Sequence, residues 1–577
     1  MIENNNATRL LFTLTCGLLS YTMAHAQERA NVIIILCDDM GYSDLGCYGS
    51  PDIETPNIDR MAAEGMMMTQ FYNTPRSCPS RAALLTGVYP HEAGMGHMVY
   101  TNAGPGYEGN LSVNSVTMGE VLSDAGYNTM FVGKWHVGHS SLDARPEVRG
   151  YDKFTGIYTH MDAYWSILEG CEIYKDRELF IPAGQNPVNP FNPDKEFYTT
   201  DFFTDAAINY LQEYQSEGSE DPFYMHICYN APHFPLEAPD DLIEKYEQRY
   251  KKGWEALRDE KFAKMKELGL LKSEQKIPQQ RVVHENKTLG RNYAINEIGE
   301  PIPLWRDISE EDREDLVFRR AIYAAQIDNL DQNVGRLITY LEEQGLKDNT
   351  LIMFMSDNGC SAEIGVFGCN WGLNTKANYD EWRSVGGWSA SQGDCWSGYS
   401  NFPHRLHKQF AFEGGIASPF IALWPKGMVE SGRVEMEQVG HLVDVMATVV
   451  DISDSKYPKE YQGRDIHKAR GISLLPHITG ETKKSEEREL FWHHQNSAAI
   501  RSGDWKLVTN DDQNDAAWEL YDLTNDRSET NNVIHSYPKL AKKLKKRWFD
   551  WAREVNAYPF IEDRTIENNA WPAIDWE

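Results

Sequence analysis

The sequence predicts an α/β protein with a large, mostly parallel sheet and a smaller C-terminal α+β subdomain. Short apolar runs alternate with segments of helical pattern, which is the order typical of parallel sheets. The 577 residues exceed what one ordinary hydrophobic core supports, so a second unit is expected. Hydrophobic residues make up 41% and charged residues 25% of the chain, a globular composition that excludes a mostly disordered protein.

The elements of the main unit follow from local patterns. Apolar runs bounded by polar residues predict buried strands at residues 31–37, 127–132, 223–228 and 350–355. Helical patterns cover residues 55–65, 116–126 and 323–345. In the first of these helices we expect Thr55 as the N-cap, Pro56 at the first position and Gly65 as the stop. Residues 245–271, rich in Lys and Glu, predict an exposed helix, and the aperiodic residues 371–402 predict a long loop.

The pattern changes beyond about Glu481. Short strands are predicted at residues 498–500, 505–509 and 518–522, followed by a basic amphipathic helix at 538–551. We therefore expect a main domain over residues 27–480 and a C-terminal subdomain, with a small antiparallel sheet and a helix, over residues 481–577.

The N-terminus has the features of an export signal. Arg9 precedes a 14-residue apolar stretch, which is too short to span a bilayer, and Ala24 and Ala26 form an A-x-A cleavage site. We expect a signal peptide over residues 1–26, a mature chain from Gln27, and a periplasmic or secreted protein. A buried helix is disfavoured because the first strand follows at once, and no later segment is apolar enough to span a membrane.

The charge and the cysteines limit the function classes. With 56 Lys and Arg against 86 Asp and Glu, the net charge of −30 argues against a nucleic-acid partner. An anionic substrate would need a local cluster of cations. The nine cysteines form no CxxC pair, which leaves a zinc ribbon or a thioredoxin motif unsupported. A bridge between Cys369 and Cys395 is compatible with an oxidising compartment, but pairing cannot be read from sequence.

Acidic residues follow two of the predicted strands. Asp38 and Asp39 come directly after residues 31–37, and Asp357 and Asn358 come just after residues 350–355. Because ligand sites of such sheets form at the carboxyl ends of the strands, these side chains are expected to converge. An Asp-Asp pair alone is most often a turn or a helix cap. The second pair at an equivalent strand end favours an all-oxygen site for calcium or magnesium.

The segment Ser77-Cys78-Pro79-Ser80-Arg81, which continues to Leu85-Thr86-Gly87, carries the strongest signal. By itself it is a turn that leads into a helix stopped by Gly87, with the serine as a cap. It closely resembles the signature of formylglycine-dependent sulfatases, in which a Cys or Ser followed by x-Pro-Ser-Arg is oxidised to an aldehyde. Ser77 holds the modified position (3-oxoalanine), whereas Cys78 does not, because Pro79 follows it directly. The serine form resembles substrates of the anaerobic radical maturation enzyme.

The resemblance runs from Asn31 to about Val533. It includes a Lys-x-His element, a second histidine element, a second metal element, a late lysine and a closing strand. These are Gly133-Lys134-Trp135-His136-Val137-Gly138, Ala231-Pro232-His233-Phe234-Pro235-Leu236, Ser356-Asp357-Asn358-Gly359, Lys408 before Glu413-Gly414-Gly415, and Glu519-Leu520-Tyr521-Asp522-Leu523. One departure is Thr159 before His160, where the family often has Ser before His.

The resemblance implies an alkaline-phosphatase-like sheet between helices and a sulfuric ester hydrolase. The implied metal ligands are Asp38, Asp39, residue 77, Asp357 and Asn358, with Ca²⁺ expected and Mg²⁺ as the alternative. The aldehyde hydrates, and one hydroxyl attacks sulfur in line. Among the residues around it, Arg81 stabilises the ionised diol, Lys134 and Lys408 bind sulfate oxygens, His233 protonates the leaving alcohol and His136 takes the last proton.

The substrate is less clearly indicated. Four of the sixteen tryptophans lie between Trp371 and Trp396, and aromatic faces suit sugar rings, although a small loop core or a subunit contact explains them equally well. Arg76, Glu363, Thr159 and His160 are candidate substrate-binding residues.

An exported serine-type sulfatase resembles bacterial enzymes that desulfate complex glycans. We therefore expect exo action on a sulfated carbohydrate such as a galactose or hexosamine sulfate. The alternatives are an aryl or small-molecule sulfatase, a phosphatase, phosphodiesterase or phosphonate hydrolase of the same superfamily, and a glycan-binding protein with an inactive site.

Overall fold

The computed structural model describes residues 29–558, with the exception of residues 100, 102, 161–162, 185, 273–302, 364–366, 369–374, 384–389 and 483. The predicted signal peptide, Cys369, Trp371 and Trp388 lie outside the described residues. In the part of the chain that is described, no helix has both the length and the apolar character needed to cross a membrane. Cys395 is a free thiol.

The main domain is built on an eleven-stranded mixed sheet with the order β10-β2-β9-β8-β1-β7-β3-β4-β5-β6, in which β11 also pairs with β2. Its strands are β1 (Asn31–Cys37), β2 (Met66–Tyr72), β3 (Asn128–Lys134), β4 (Lys153–Ile157), β5 (Ile173–Lys175), β6 (Glu178–Ile181), β7 (Phe223–Cys228), β8 (Thr350–Ser356), β9 (Ala417–Leu423), β10 (Arg433–Glu435) and β11 (Gly440–His441). A two-stranded hairpin, β12 (Glu460–Tyr461) and β13 (Arg464–Asp465), lies apart from it.

The centre of this sheet is parallel. Strand β1 pairs in parallel with β7 and β8, and β3 pairs in parallel with β7. All residues of β1, β7 and β8 are buried, which explains their continuous apolar sequences. The carboxyl ends of these four strands therefore meet at one edge of the sheet. The predicted fold class and the four predicted strands are confirmed.

Helices cover the sheet and fill the connections between strands. They are α1 (Pro56–Glu64), α2 (Ser77–Thr86), α3 (Met118–Asp124), α4 (Thr199–Glu217), α5 (Asp240–Tyr250), α6 (Gly253–Glu267), α7 (Glu310–Glu343), α8 (Tyr379–Trp382), α9 (Gly393–Ser400), α10 (Glu413–Ile416), α11 (Leu442–Ile452), α12 (Leu475–Thr479) and α13 (Pro538–Glu554). The three predicted main-domain helices are present as α1, α3 and α7. Thr55 precedes α1, but its side chain makes no cap hydrogen bond; its Oγ1 lies 3.1 Å from Asp59 Oδ1.

Two predictions were wrong in detail. The single exposed helix at residues 245–271 is two helices, α5 and α6, because Gly253 at their junction has φ +82°. A Cβ at this glycine would come within 2.3 Å of the Trp305 ring. These helices are also partly buried, since Tyr250 and Trp254 face the core. The predicted loop at residues 371–402 contains α8 and α9.

The two described tryptophans of that segment lie in the protein core. Trp396 is fully buried, and its ring packs 5.4 Å from Trp254 and 5.9 Å from Trp305, measured between ring centroids. Trp382 is also buried and contacts Tyr379 at 4.8 Å. Of the explanations left open for this segment, a local aromatic core accounts for both residues.

The C-terminal part forms a four-stranded antiparallel sheet in sequential order, against which α13 packs. Its strands are β14 (Glu489–His494), β15 (Ser497–Ser502), β16 (Trp505–Thr509) and β17 (Glu519–Asp522). The fully buried Lys506 lies 3.0 Å from Glu413 of the main domain and 2.8 Å from Glu529. The first of these ion pairs joins the C-terminal sheet to helix α10 of the main domain. The boundary at residue 481 stays a prediction.

Candidate active site

The ends of β1 and β8 place three carboxylates side by side. Asp38 and Asp39 follow β1, and Asp357 and Asn358 follow β8 in the neighbouring register. The Asp39 amide donates to Asp357 Oδ1 at 3.1 Å, and the Asn358 side-chain amide donates to Asp39 Oδ1. Asp39 has φ +67°, a conformation that costs free energy in a non-glycine residue and is typical of functional sites. The predicted convergence of the two acidic pairs is present.

Ser77 lies directly over these residues at the first position of α2. Its Oγ is 3.0 Å from Asp38 Oδ1 and 3.3 Å from Asn358 Oδ1. Gly87 ends the helix with φ +71°, as the sequence predicts. Cys78 instead lies in a buried apolar cluster, where burial raises the pKa of its thiol to about 11. Of the two neighbouring side chains, only the serine faces the acidic cluster.

Arg81 and Lys134 balance part of the negative charge. Arg81, one helical turn after Ser77, places Nη2 3.1 Å from Asp357 Oδ2 and 3.5 Å from Asp38 Oδ2. Its Nη1 donates to the Lys134 carbonyl at 2.8 Å, so the guanidinium makes three contacts. The Lys134 ammonium contacts Asp38. Burial raises the pKa of Asp38, but Lys134, His233 and Arg81 together hold it well below its usual value.

His233 and Lys408 close the opposite side of the cluster. His233 Nε2 lies 3.5 Å from Asp39 Oδ2 and 3.3 Å from Lys408 Nζ, while Nδ1 is oriented by the Phe234 carbonyl. Lys408 Nζ lies 2.9 Å from Asp39 Oδ2. Burial lowers the pKa of His233, and the carboxylate of Asp39 opposes this effect. The imidazole therefore has one fixed nitrogen and one that faces the reacting groups.

His136 follows β3 with φ +56°. Its Nδ1 is buried and has no hydrogen-bond partner among the described residues. Burial, together with the nearby Lys134, lowers its pKa well below the ordinary value of histidine. The ring lies 5.7 Å from that of His160. The lowered pKa keeps this imidazole unprotonated, and an unprotonated imidazole has a free nitrogen that can accept a proton.

The donor set fits a divalent cation. One ligand atom each from Asp38, Asp39 and His233 lies within 4.8 Å of the others, and Ser77, Asp357 and Asn358 add further oxygens beside them. Burial raises the pKa of Asp357 to about 7, and the neighbouring charge of Asp38 adds to this effect. Carboxylate and amide oxygens are the ligands that Ca²⁺ and Mg²⁺ prefer. A cation at this position would relieve the repulsion between the acids.

The remaining predicted site residues are Arg76, Glu363 and Thr159. Arg76 pairs with Glu363 at 2.7 Å, and Glu363 also lies 3.4 Å from Lys408. Gln409, which the sequence analysis did not single out although it directly follows Lys408, donates to Glu363 at 2.8 Å. Thr159 donates its hydroxyl to the Gly170 carbonyl at 2.8 Å. Arg76 and Glu363 are thus joined to the catalytic cluster, whereas the Thr159 hydroxyl has a local backbone partner.

Comparison with known proteins finds sulfatases, both among family models and among individual relatives. Residues 30–455 match the sulfatase family model, and residues 403–554 match the C-terminal model of N-sulphoglucosamine sulphohydrolase. An arylsulfatase of Klebsiella aerogenes is 30% identical over 78% of this chain and 93% of its own. An N-acetylgalactosamine-6-sulfatase of Mus musculus is 27% identical over 87% of this chain and 75% of its own.

The fold also matches solved structures. The crystal structure of Ps i-CgsB in complex with k-i-k-neocarrahexaose superimposes with a TM-score of 0.65 at 23% identity, over 95% of this chain and 99% of that one. The likeness covers both the large sheet and the small C-terminal sheet.

Proposed function

The chain belongs to the sulfatase family of sulfuric ester hydrolases, and we propose that it releases sulfate from a sulfated carbohydrate through a formylglycine made from Ser77. The observation that supports this most is the position of Ser77, with Oγ 3.0 Å from Asp38 and with Arg81 one turn further along the same helix. All the residues that surround this point are buried or nearly so.

The chemistry of the proposal uses the charges around Ser77. A sulfate ester repels ordinary nucleophiles, and fixed cations in a buried site offset that charge most strongly. We assign Asp38, Asp39, residue 77, Asp357 and Asn358 to Ca²⁺, with Mg²⁺ as the alternative. A bound cation would supply positive charge to the sulfate oxygens. Lys134 and Lys408 contact Asp38 and Asp39, and they would turn to the sulfate oxygens when a substrate and the metal are present.

Two histidines divide the proton transfers. His233 Nε2 faces the cluster, and in the imidazolium form, which the carboxylate of Asp39 favours, it would donate its proton to the oxygen of the leaving alcohol as the sulfur–oxygen ester bond breaks. His136, neutral and on the other side, would accept a proton when sulfate is released. The assignment predicts that the two histidines have different effects on esters with good and poor leaving groups.

The substrate proposal follows from the relatives. The alignment with the N-acetylgalactosamine-6-sulfatase of Mus musculus covers most of this chain. The crystal structure of Ps i-CgsB, which is similar in fold, contains a neocarrahexaose. We therefore propose exo action on a galactose or hexosamine sulfate. The same proposal includes export to the periplasm or the medium and oxidation of Ser77 by the anaerobic maturation enzyme.

The test is anion chromatography of protein produced together with the anaerobic maturation enzyme. Matched sulfated and phosphorylated sugars and an aryl sulfate are the substrates. Ser77→Ala should abolish sulfate release, whereas Cys78→Ala, which changes the neighbouring buried thiol, should retain it. Phosphate release in place of sulfate would move the protein to the phosphohydrolases, and glycan binding without any release would support an inactive site.

A further inference from the structure

The C-terminal sheet reaches the loop that carries Ser77. The Trp492 indole donates to the Asn73 carbonyl at 2.8 Å, and the Ser497 hydroxyl accepts from the Ala411 amide at 2.8 Å. The turn between β14 and β15, which starts after His494, is therefore fixed against segments on both sides of the active site. His494, the last residue of β14, is also an electrostatic neighbour of Arg76, which directly precedes Ser77.

His494 is buried without the hydrogen bonds that a buried imidazole normally makes. It is 1% exposed, and among the described residues neither of its ring nitrogens has a hydrogen-bond partner. Its ring stacks on His97 with 4.9 Å between centroids and 23° between planes. By contrast, the adjacent His493 pairs with Asp512 at 3.0 Å. Because unsatisfied buried polar atoms cost free energy, the two nitrogens of His494 are expected to meet a ligand.

The two stacked histidines, His97 and His494, carry no charge. Burial lowers the pKa of His494 well below its usual value and that of His97 to about 3, and the nearby Arg76 adds to both effects. Each ring is therefore neutral, with one donor and one acceptor nitrogen. The charge of Arg76 is balanced by Glu363 at 2.7 Å. Neutral donors and acceptors suit hydroxyl groups, and a second sulfate would find no excess positive charge here.

We propose that Arg76, His97 and His494 form a subsite that binds hydroxyl groups of the sugar that carries the sulfate. The inference rests on the proposed function, because it places the sugar beside residue 77. The burial of His494 does not argue against contact with the substrate, since Ser77 itself is only 2% exposed and Lys134 only 1%. A site built for substrate hydroxyls discriminates strongly against compounds that lack them, because its own polar atoms are then left unpaired.

The test compares His494→Phe, which keeps the ring but removes both nitrogens, with His494→Gln, which keeps a donor and an acceptor. His535→Phe is the matched control, since this imidazole is exposed in the same C-terminal part. Rates are measured on galactose, N-acetylgalactosamine and N-acetylglucosamine 6-sulfates and on 4-methylumbelliferyl sulfate, which has no sugar hydroxyls. Binding of the same sugars to the variants in a Ser77→Ala background is measured by calorimetry.

We expect His494→Phe to lower kcat/KM on the best sugar sulfate about tenfold or more, as the loss of one or two hydrogen bonds implies. Its rate on the aryl sulfate should stay within twofold, and His494→Gln should recover part of the loss. Equal losses on both substrate types, or no loss on sugars, would overturn the subsite. If the wild type turned over no sulfate ester while His494→Phe still weakened sugar binding, the proposed function would fail and the subsite would stand.

Discussion

Replacement of Arg81 by lysine tests the arrangement around Ser77 most sharply. The guanidinium makes three contacts, to Asp357 at 3.1 Å, to Asp38 at 3.5 Å and to the Lys134 carbonyl at 2.8 Å. A lysine ammonium keeps the charge but is a single point, so we expect it to retain one of the three. Two lost charged contacts at about 1.5 kcal/mol each amount to about 3 kcal/mol, or roughly 150-fold in kcat/KM.

The assay for Arg81→Lys is the initial rate of sulfate release divided by the fraction of residue 77 found oxidised by mass spectrometry. This division matters because Arg81 is part of the segment that resembles the maturation signature. Arg149→Lys is the matched control, since Arg149 is also buried and pairs with Glu120 at 3.1 Å away from the site. It should lower the melting temperature but leave the corrected rate unchanged. A corrected rate for Arg81→Lys within threefold of wild type would refute the reasoning.

Three further predictions concern pH, the backbone and the metal. Burial raises the pKa of Glu237 to about 8, above its unfolded value, so the stability it contributes is lost as pH rises toward 8. The side chain introduced by Glu237→Gln does not titrate. Chemical denaturation should therefore show that the unfolding free energy of the variant, relative to that of wild type, rises by a few kcal/mol between pH 5 and 8.5. A difference in unfolding free energy that does not change with pH would contradict this. Gly133 has φ +103°, and a Cβ there would lie 2.0 Å from the Cys228 carbonyl oxygen. Gly133→Ala should therefore cost about 3 kcal/mol or more in unfolding free energy, against about 1 kcal/mol for Gly218→Ala, where nothing lies within 4 Å. Chelation should remove activity and lower the melting temperature, because the three neighbouring carboxylates then lose their counterion. Addition of Ca²⁺ should restore both activity and melting temperature. Full activity after exhaustive chelation would exclude a required metal.

The central strands could be predicted because their sequences alone specify burial. Strands β1 and β7 lie where the apolar runs place them, since a strand covered on both faces needs no alternation. Strands β2 and β9 were not predicted. The sequence MMMTQFY of β2 is rich in methionine, which favours helices, and its extended form depends on antiparallel pairing with β9 about 350 residues later.

The residues of the site also divide into those that local sequence predicts and those whose position depends on contacts with distant segments. Ser77, Arg81 and the acidic pairs lie in local motifs at strand and helix ends, and parallel pairing of β1 with β8 suffices to bring the acids together. The contact of Arg76 with Glu363 joins residues nearly 290 positions apart, and no local pattern indicates it. His494 gave no signal either, because its position depends on how the C-terminal sheet packs on the loop before Ser77.

The central claim is that sulfate hydrolysis depends on an oxidised Ser77. The most direct measurement is the rate of sulfate release from one sugar sulfate across preparations made with increasing amounts of the maturation enzyme, plotted against the oxidised fraction of residue 77. We predict a straight line through the origin. A rate that is independent of the oxidised fraction, or that persists when residue 77 remains serine, would contradict the account.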